Sequence, residues 1–174
     1  QSDFNNIPDN VNDYDGTSET FNFNARWQKF VEEETDYVIS TVGTKTHVEV
    51  DKKDLGGYPC IESKVRGDFS GFNYLVGKFK GTDKMPIIFK AANGYETQAL
   101  MNGEEVIVVV DFSAMTPEEK NSISSIFLFA YPGNYKGTGY LDIIEAYMTS
   151  TYDIDIATNV YNGTDPSFSL VNWY

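Results

Sequence analysis

Apolar positions along this chain recur mostly in twos. Ile126, Leu128 and Ala130 alternate with Phe127, Phe129 and Tyr131, and Val48 and Val50 alternate with His47, Glu49 and Asp51, which is the period of a strand with one face buried. Apolar or β-branched segments of this kind lie at 20–25, 46–51, 58–66, 73–80, 85–92, 95–101, 104–112, 123–131 and 139–148, divided by turn-forming residues. Regular spacing with almost no 3.6-residue period predicts an all-β chain: a two-sheet antiparallel β-sandwich (jelly roll) of about nine strands. Asn93-Gly94 and Asn102-Gly103 fall between consecutive segments. A type I′ turn needs positive φ twice and Asn-Gly supplies it readily, so each predicts a hairpin or a corner. The one helical signal is Thr116-Pro117-Glu118-Glu119. Thr stands at the N-cap, Pro at the first helical position and Glu three residues after the cap, which predicts one short helical turn.

Alternation also bears on function. If Ile126, Leu128 and Ala130 face inward, Phe127, Phe129 and Tyr131 form a row of large aromatics outside a sheet, which marks a binding face. The opposite register is equally open to the pattern. On neighbouring segments Lys90 alternates with Phe89 and Ala91, Gln98 with Thr97 and Ala99, and Lys64 and Arg66 with Val65. Trp27, Tyr37, Tyr58, Tyr74, Tyr95, Tyr131 and Tyr135 fall at strand ends or in loops. An exposed ring beside such donors suits the apolar C–H face of a sugar, with core packing the alternative for each ring.

Composition narrows the partners. A chain of 174 residues with 41% hydrophobic content builds one domain with a real core. A net charge of −13 argues against nucleic acid or an anionic membrane, both of which need clustered Lys and Arg. No run of about 18 apolar residues predicts membrane insertion. Cys60, alone, excludes an internal disulfide and reads as a buried thiol.

Catalysis finds little support. Glu49-Val50-Asp51-Lys52-Lys53-Asp54 comes within one residue of a Glu-x-Asp-x-x-Glu glycosidase strand motif, but the sixth position is Asp, and a solvated strand end accounts for it. His47 is the only histidine and has no nucleophile at a recognisable spacing. Gly56-Gly57 and Gly137-Thr138-Gly139 lack the Lys and helix of a phosphate loop. The run Glu32-Glu33-Glu34-Thr35-Asp36 reads as an acidic turn, since it lacks the alternating ligands of a cation loop. Asp142 lies among residues expected to pair centrally, where a carboxylate needs a partner to offset desolvation. The expectation is that the chain is not an enzyme.

The sequence also repeats itself. Tyr14-Asp15-Gly16-Thr17 with Phe21 returns as Tyr161-Asn162-Gly163-Thr164 with Phe168, and Ile7/Ile154 and Asn12/Asn159 keep the same offset of 147. Six identities over the 21 positions from 7 to 27 compare with about one by chance. The domains read as a linker at 1–18, a sandwich at 19–149, and at 150–174 a linker with the opening strand of a following repeat. Tandem domains act by multivalent binding.

Four motifs in order then carry a resemblance: Phe72-Asn73-Tyr74-Leu75-Val76-Gly77-Lys78-Phe79-Lys80-Gly81, Glu104 to Ser113, Ile126 to Gly133, and Gly137-Thr138-Gly139-Tyr140-Leu141-Asp142-Ile143-Ile144. Across 20–149 they resemble the jelly-roll carbohydrate-binding modules of the family four and sixteen type. The resemblance implies a noncatalytic sandwich that binds polysaccharide in a groove, often beside a secreted glycosidase. It implies a structural Ca²⁺ near the terminal strands with Asp142 as ligand, although Phe21-Asn22-Phe23-Asn24 carries Asn where the family has an acidic partner. Trp27 falls where these modules place a stacking Trp, Lys90 and Gln98 on the strands that line the groove, and Phe129, Tyr131 or Tyr135 must replace a second Trp. With Arg66 as a further donor, the expectation is a monomeric module of a tandem chain, extracellular or at the cell surface, its export leader upstream of residue 1. A structural spacer or adhesin domain is the rival.

Overall fold

The computed structural model describes residues 11–23, 26–31, 35–54, 59–152 and 160–161. These form strands β1 (Val11–Asp13), β2 (Thr20–Asn22), β3 (Gln28–Lys29), β4 (Tyr37–Val42), β5 (Lys45–Lys52), β6 (Cys60–Arg66), β7 (Tyr74–Gly81), β8 (Pro86–Ala92), β9 (Tyr95–Leu100), β10 (Glu105–Asp111), β11 (Ser125–Ala130), β12 (Gly137–Thr149) and β13 (Val160–Tyr161), with one helix, α1 (Pro117–Asn121). They make a two-sheet β-sandwich. Sheet A runs β1-β6-β11-β8-β9, with β3 also on β6, and sheet B runs β13-β10-β7-β12-β5-β4, with β2 also on β12.

Each of the nine expected segments contains a strand. The additions are β1, β3, β4 and β13, short or at sheet edges, and two of them pair in parallel: β1 with β6 and β13 with β10. Residues 11–18, expected as linker, therefore hold to the sandwich from Val11 onward, with Asn12 buried. Residues 1–10, the acidic positions 32–34, Gly56, Gly57 and Tyr58, and Phe168 lie outside the described residues.

The core fills with alternate residues from both sheets: Ile87, Phe89, Ile126 and Leu128 from sheet A, Val48, Leu75, Phe79, Val108 and Ile143 from sheet B. Phe79 meets Phe89 edge-on at 5.0 Å, and Gly77 makes room, because a Cβ there would fall 2.4 Å from the Phe79 ring. Burying each such ring contributes about 1.5–3 kcal/mol. In β12 the apolar period breaks: Leu141 and Ile143 face in, and then Ala146 and Met148 do. The strand absorbs the odd residue as a bulge between Ile143 and Glu145 against β7, which keeps both halves in phase with the core.

The turn chemistry is partly as expected. Helix α1 carries the full capping box, Thr116 Oγ1 accepting from the Glu119 N–H and the Thr116 N–H donating to Glu119 Oε1. At the β8–β9 hairpin and the β9–β10 corner only Gly94 and Gly103 take positive φ, +85° and +83°. Asn93 and Asn102 stay negative, so neither is a type I′ turn, and a bulge at Lys90/Ala92 accommodates the hairpin. Beyond β11, Lys52 is buried and its ammonium donates at 2.7 Å to the carbonyls of Tyr131 and Gly133, fixing the corner where Tyr131 turns to φ +47°.

Candidate functional site

Strand pairing settles which face each ring takes. Ile126, Leu128 and Ala130 are buried, while Phe127 and Phe129 stand half-exposed on the outer face of sheet A. Phe127 lies opposite Glu62 on β6 and Lys90 on β8, and Phe129 opposite Cys60 and Ile88. Ile88 in turn pairs with Gln98 on β9, and Lys90 with Glu96. Phe30, 46% exposed, meets Phe127 edge-on at 5.3 Å, and Phe127 lies 6.4 Å from Phe129. The three rings form one apolar strip.

That strip borders a groove of about 370 Å³, walled by the segment after α1 (Ser122 to Ser125) and by Lys90 and Asn93 at the β8–β9 turn. A second trough of about 560 Å³ continues from it across Ser122, Ile123 and Ser124 to Lys64, Arg66 and Val11. Polar groups on the face are held in place. Ser125 donates to Glu62 Oε1 at 2.8 Å. Arg66 donates to both oxygens of Asp13, at 2.6 and 3.1 Å, and this hydrogen bonding holds the Asp13 carboxyl below its usual range. Opposite Phe129 on β6, Cys60 has no exposed surface, and burial pushes its thiol pKa upward.

The expected site residues therefore divide. Phe129 and Lys90 line the groove, Gln98 shares its face two strands from Phe129, and Arg66 lines the adjoining trough. Trp27 and Tyr131 are corrections to the sequence reading, because each is buried, at 6% and 7% exposure, within the core cluster. Trp27 packs on Phe23 at 6.3 Å and Tyr131 covers Gly137, so neither ring offers a face to a ligand. Tyr135 is exposed in the β11–β12 loop, where its N–H donates to the Pro132 carbonyl, and it lines none of these walls. Tyr37, among the loop aromatics, is also buried. Phe30 was missed: it follows β3, a two-residue strand with no periodicity to read.

Asp142 lies on the central strand of sheet B, between β5 and β7, with its side chain part-buried on the outer face. Its carboxylate contacts His47 Nδ1, while His47 Nε2 lies 2.7 Å from Glu49 Oε2, and the imidazole stacks on Tyr140 at 6.0 Å. Calcium takes six to eight oxygen ligands. Here the carboxylates are turned to an imidazole, and among the described residues no group of three His, Cys, Asp or Glu could hold a metal ion. The residues around Asp142 do not fit Ca²⁺.

The same cluster makes a pH prediction. Hydrogen bonding to Asp142 raises the His47 pKa above 6.5 against a smaller desolvation effect, and Glu49 adds a lesser upward push. A raised folded value means that the stabilisation is fully present below about pH 6.5 and fades as pH rises through the folded value. With a third of the ring exposed, screening keeps the effect small. The melting temperature of the parent should exceed that of His47→Gln at pH 5.5 and converge with it by pH 9. A gap independent of pH would show that the ring acts by packing on Tyr140 alone.

No protein-family model and no curated protein matches the chain. Among solved structures it is similar to a variant of a family 29 carbohydrate-binding module (13% identity, 79% of this chain and 89% of that one, TM-score 0.49). It is also similar to a family 29 variant complexed with mannohexaose (15%, 75% and 81%, 0.44). A third likeness is to the family 11 carbohydrate-binding module of a cellulosomal cellulase of Clostridium thermocellum (15%, 82% and 94%, 0.45). The likeness is one of architecture and assigns no residue a role. Among the described residues no helix is long and apolar enough to cross a membrane.

Proposed function

We propose that this protein is a noncatalytic carbohydrate-binding module that lays a polysaccharide across the outer face of sheet A. The observation that carries the reading is the strip of Phe30, Phe127 and Phe129 along an open groove bordered by Lys90, Asn93 and Ser125. Phenyl rings supply flat apolar platforms for the C–H faces of pyranose rings, and Lys90, Gln98 and Lys64 supply donors to hydroxyls. Rigid strands hold both at fixed spacing, so little conformational freedom is lost on binding. The order of the four sequence motifs, similar to the family four and sixteen type, supports the same reading, as does a net charge that favours a neutral ligand. Binding through one such groove is weak, and linked copies in an extracellular chain would raise it by avidity.

The test is an affinity-gel panel of mannan, β-glucan, xylan and galactan with the whole chain, with an inert protein of similar size as reference. Retardation on at least one gel is the expected result. Migration unchanged on all four, in a protein shown to be folded, favours the spacer or adhesin reading.

A further inference from the structure

Six identities tie residues 7–27 to residues 154–174, and five of them fall on described residues of the first segment, each with a definite structural task. Asn12 is buried, and its amide donates to Ser63 Oγ at 2.9 Å and to the Lys64 carbonyl at 2.8 Å. Tyr14 sets its ring 4.9 Å from Phe72 and 5.4 Å from Phe21, and its N–H donates to the Arg66 carbonyl at 2.8 Å. Gly16 turns at φ +83°, which a Cβ would make costly. Thr17 donates twice to Asp15 Oδ1, at 2.9 and 2.8 Å, and the counterpart Asn162 keeps a side-chain oxygen able to accept both. Phe21 is a core residue stacked on Phe69 at 5.5 Å.

Positions that differ between the two segments are undemanding. Ser18 and Glu19, replaced at 165 and 166 by Asp and Pro, are exposed, and Val11 and Phe23 correspond to the similar Thr158 and Leu170. The exception is Asp13, exposed but paired with Arg66, which Val160 replaces without that pair. The C-terminal segment thus carries the residues that lock a first strand into this sandwich, while the slot on its own domain is already filled by residues 11–23.

We propose that the slot formed by the edge of β6 with Ser63, Phe69 and Phe72 accepts the sequence at 158–168 in the place that residues 11–21 take here, and that its occupant is then the C-terminal segment of a second copy of this domain. Each copy then completes the sandwich of the next. The pairing of β13 extends the point: Val160–Tyr161 runs parallel along β10, and the matching positions 13 and 14 run parallel along β6. A strand has two hydrogen-bonding edges, so one strand held between copies joins sheet B of the first to sheet A of the second. Successive copies become a strand-linked array in place of beads on a free linker.

The experiment grafts the sequence of residues 158–168 onto positions 11–21 of the whole chain (Val11→Thr, Asp13→Val, Asp15→Asn, Ser18→Asp, Glu19→Pro, Thr20→Ser). A second graft keeps Glu19, so that proline alone cannot decide the result. The reference for a failed slot is the double variant Tyr14→Ala, Phe21→Ala. Thermal unfolding should place the grafts within about 5 °C of the parent and the double variant at least about 10 °C below it. Either graft melting nearer the parent than the double variant supports the proposal, and both melting nearer the double variant overturns it. The readout is folding alone, so the result is independent of whether the groove binds glycan.

Discussion

Trp27→Ala lowers the free energy of unfolding by about 3–5 kcal/mol, the cost of truncating a large ring inside a packed core. The side chain is 6% exposed and belongs to the same cluster as Phe21, Phe23 and Phe69. Collapse into the space is limited, because the backbone of Phe23 beside it is tied through its N–H to the Ala146 carbonyl at 2.9 Å. Chemical denaturation should show a lower midpoint with an unchanged slope. Trp27→Phe is the informative companion: it keeps most of the buried area and removes an indole N–H that has no acceptor among the described residues. Its stability should lie close to the parent, and its retention on any glycan gel should be unchanged. A Trp27→Ala protein as stable as the parent but no longer retained would return this ring to the ligand site.

The contrast between Trp27 and Phe127 shows what the sequence can and cannot specify. Phe127 and Phe129 sit in a strand long enough for its period to be read, and the pattern already divided the strand into two sets. Choosing the buried set needed the partners: Leu128 meets Ile61 on one side and Phe89 on the other, both buried. Trp27 lies between two short strands, β2 and β3, where no period exists, and a tryptophan outside a periodic run looks the same in a loop as in a core. Asp142 was placed on the right strand, and the alternation of Leu141 and Ile143 marks its outward direction. Its partner His47 comes from β5, 95 residues away in sequence, a pairing that only sheet order reveals. The missed edge strands share a cause. β4 turns Val38 and Val42 outward, 62% and 71% exposed, which blurs the alternation of a half-buried strand. The residues of β1 are held by Asn12 and Tyr14 through polar and aromatic contacts, not by an apolar period.

Truncating the phenyl strip should cost binding far more than folding. Phe127 and Phe129 are only half-buried, so replacing either by Ala removes less buried surface than Trp27→Ala does and leaves the strand pairing with β6 and β8 intact. Loss of a stacked ring costs on the order of 1–3 kcal/mol by analogy with base stacking, and at 1.4 kcal/mol per tenfold each substitution weakens binding by about 5- to 150-fold. For a module of weak affinity the double variant Phe127→Ala, Phe129→Ala should then migrate on the retarding gel as it does without polysaccharide. Lys90→Ala, which leaves the rings and removes one donor opposite Phe127, should reduce retention by a smaller factor, since a hydrogen bond exchanged with water contributes about 0.5–1.5 kcal/mol. The ordering separates mechanisms: stacking predicts that the rings dominate, whereas a site read mainly by hydrogen bonds would invert it. Full retention by a folded double variant would show that neither ring stacks on the glycan, and adding Phe30→Ala, the remaining ring of the strip, would then decide whether the ligand lies on this face at all.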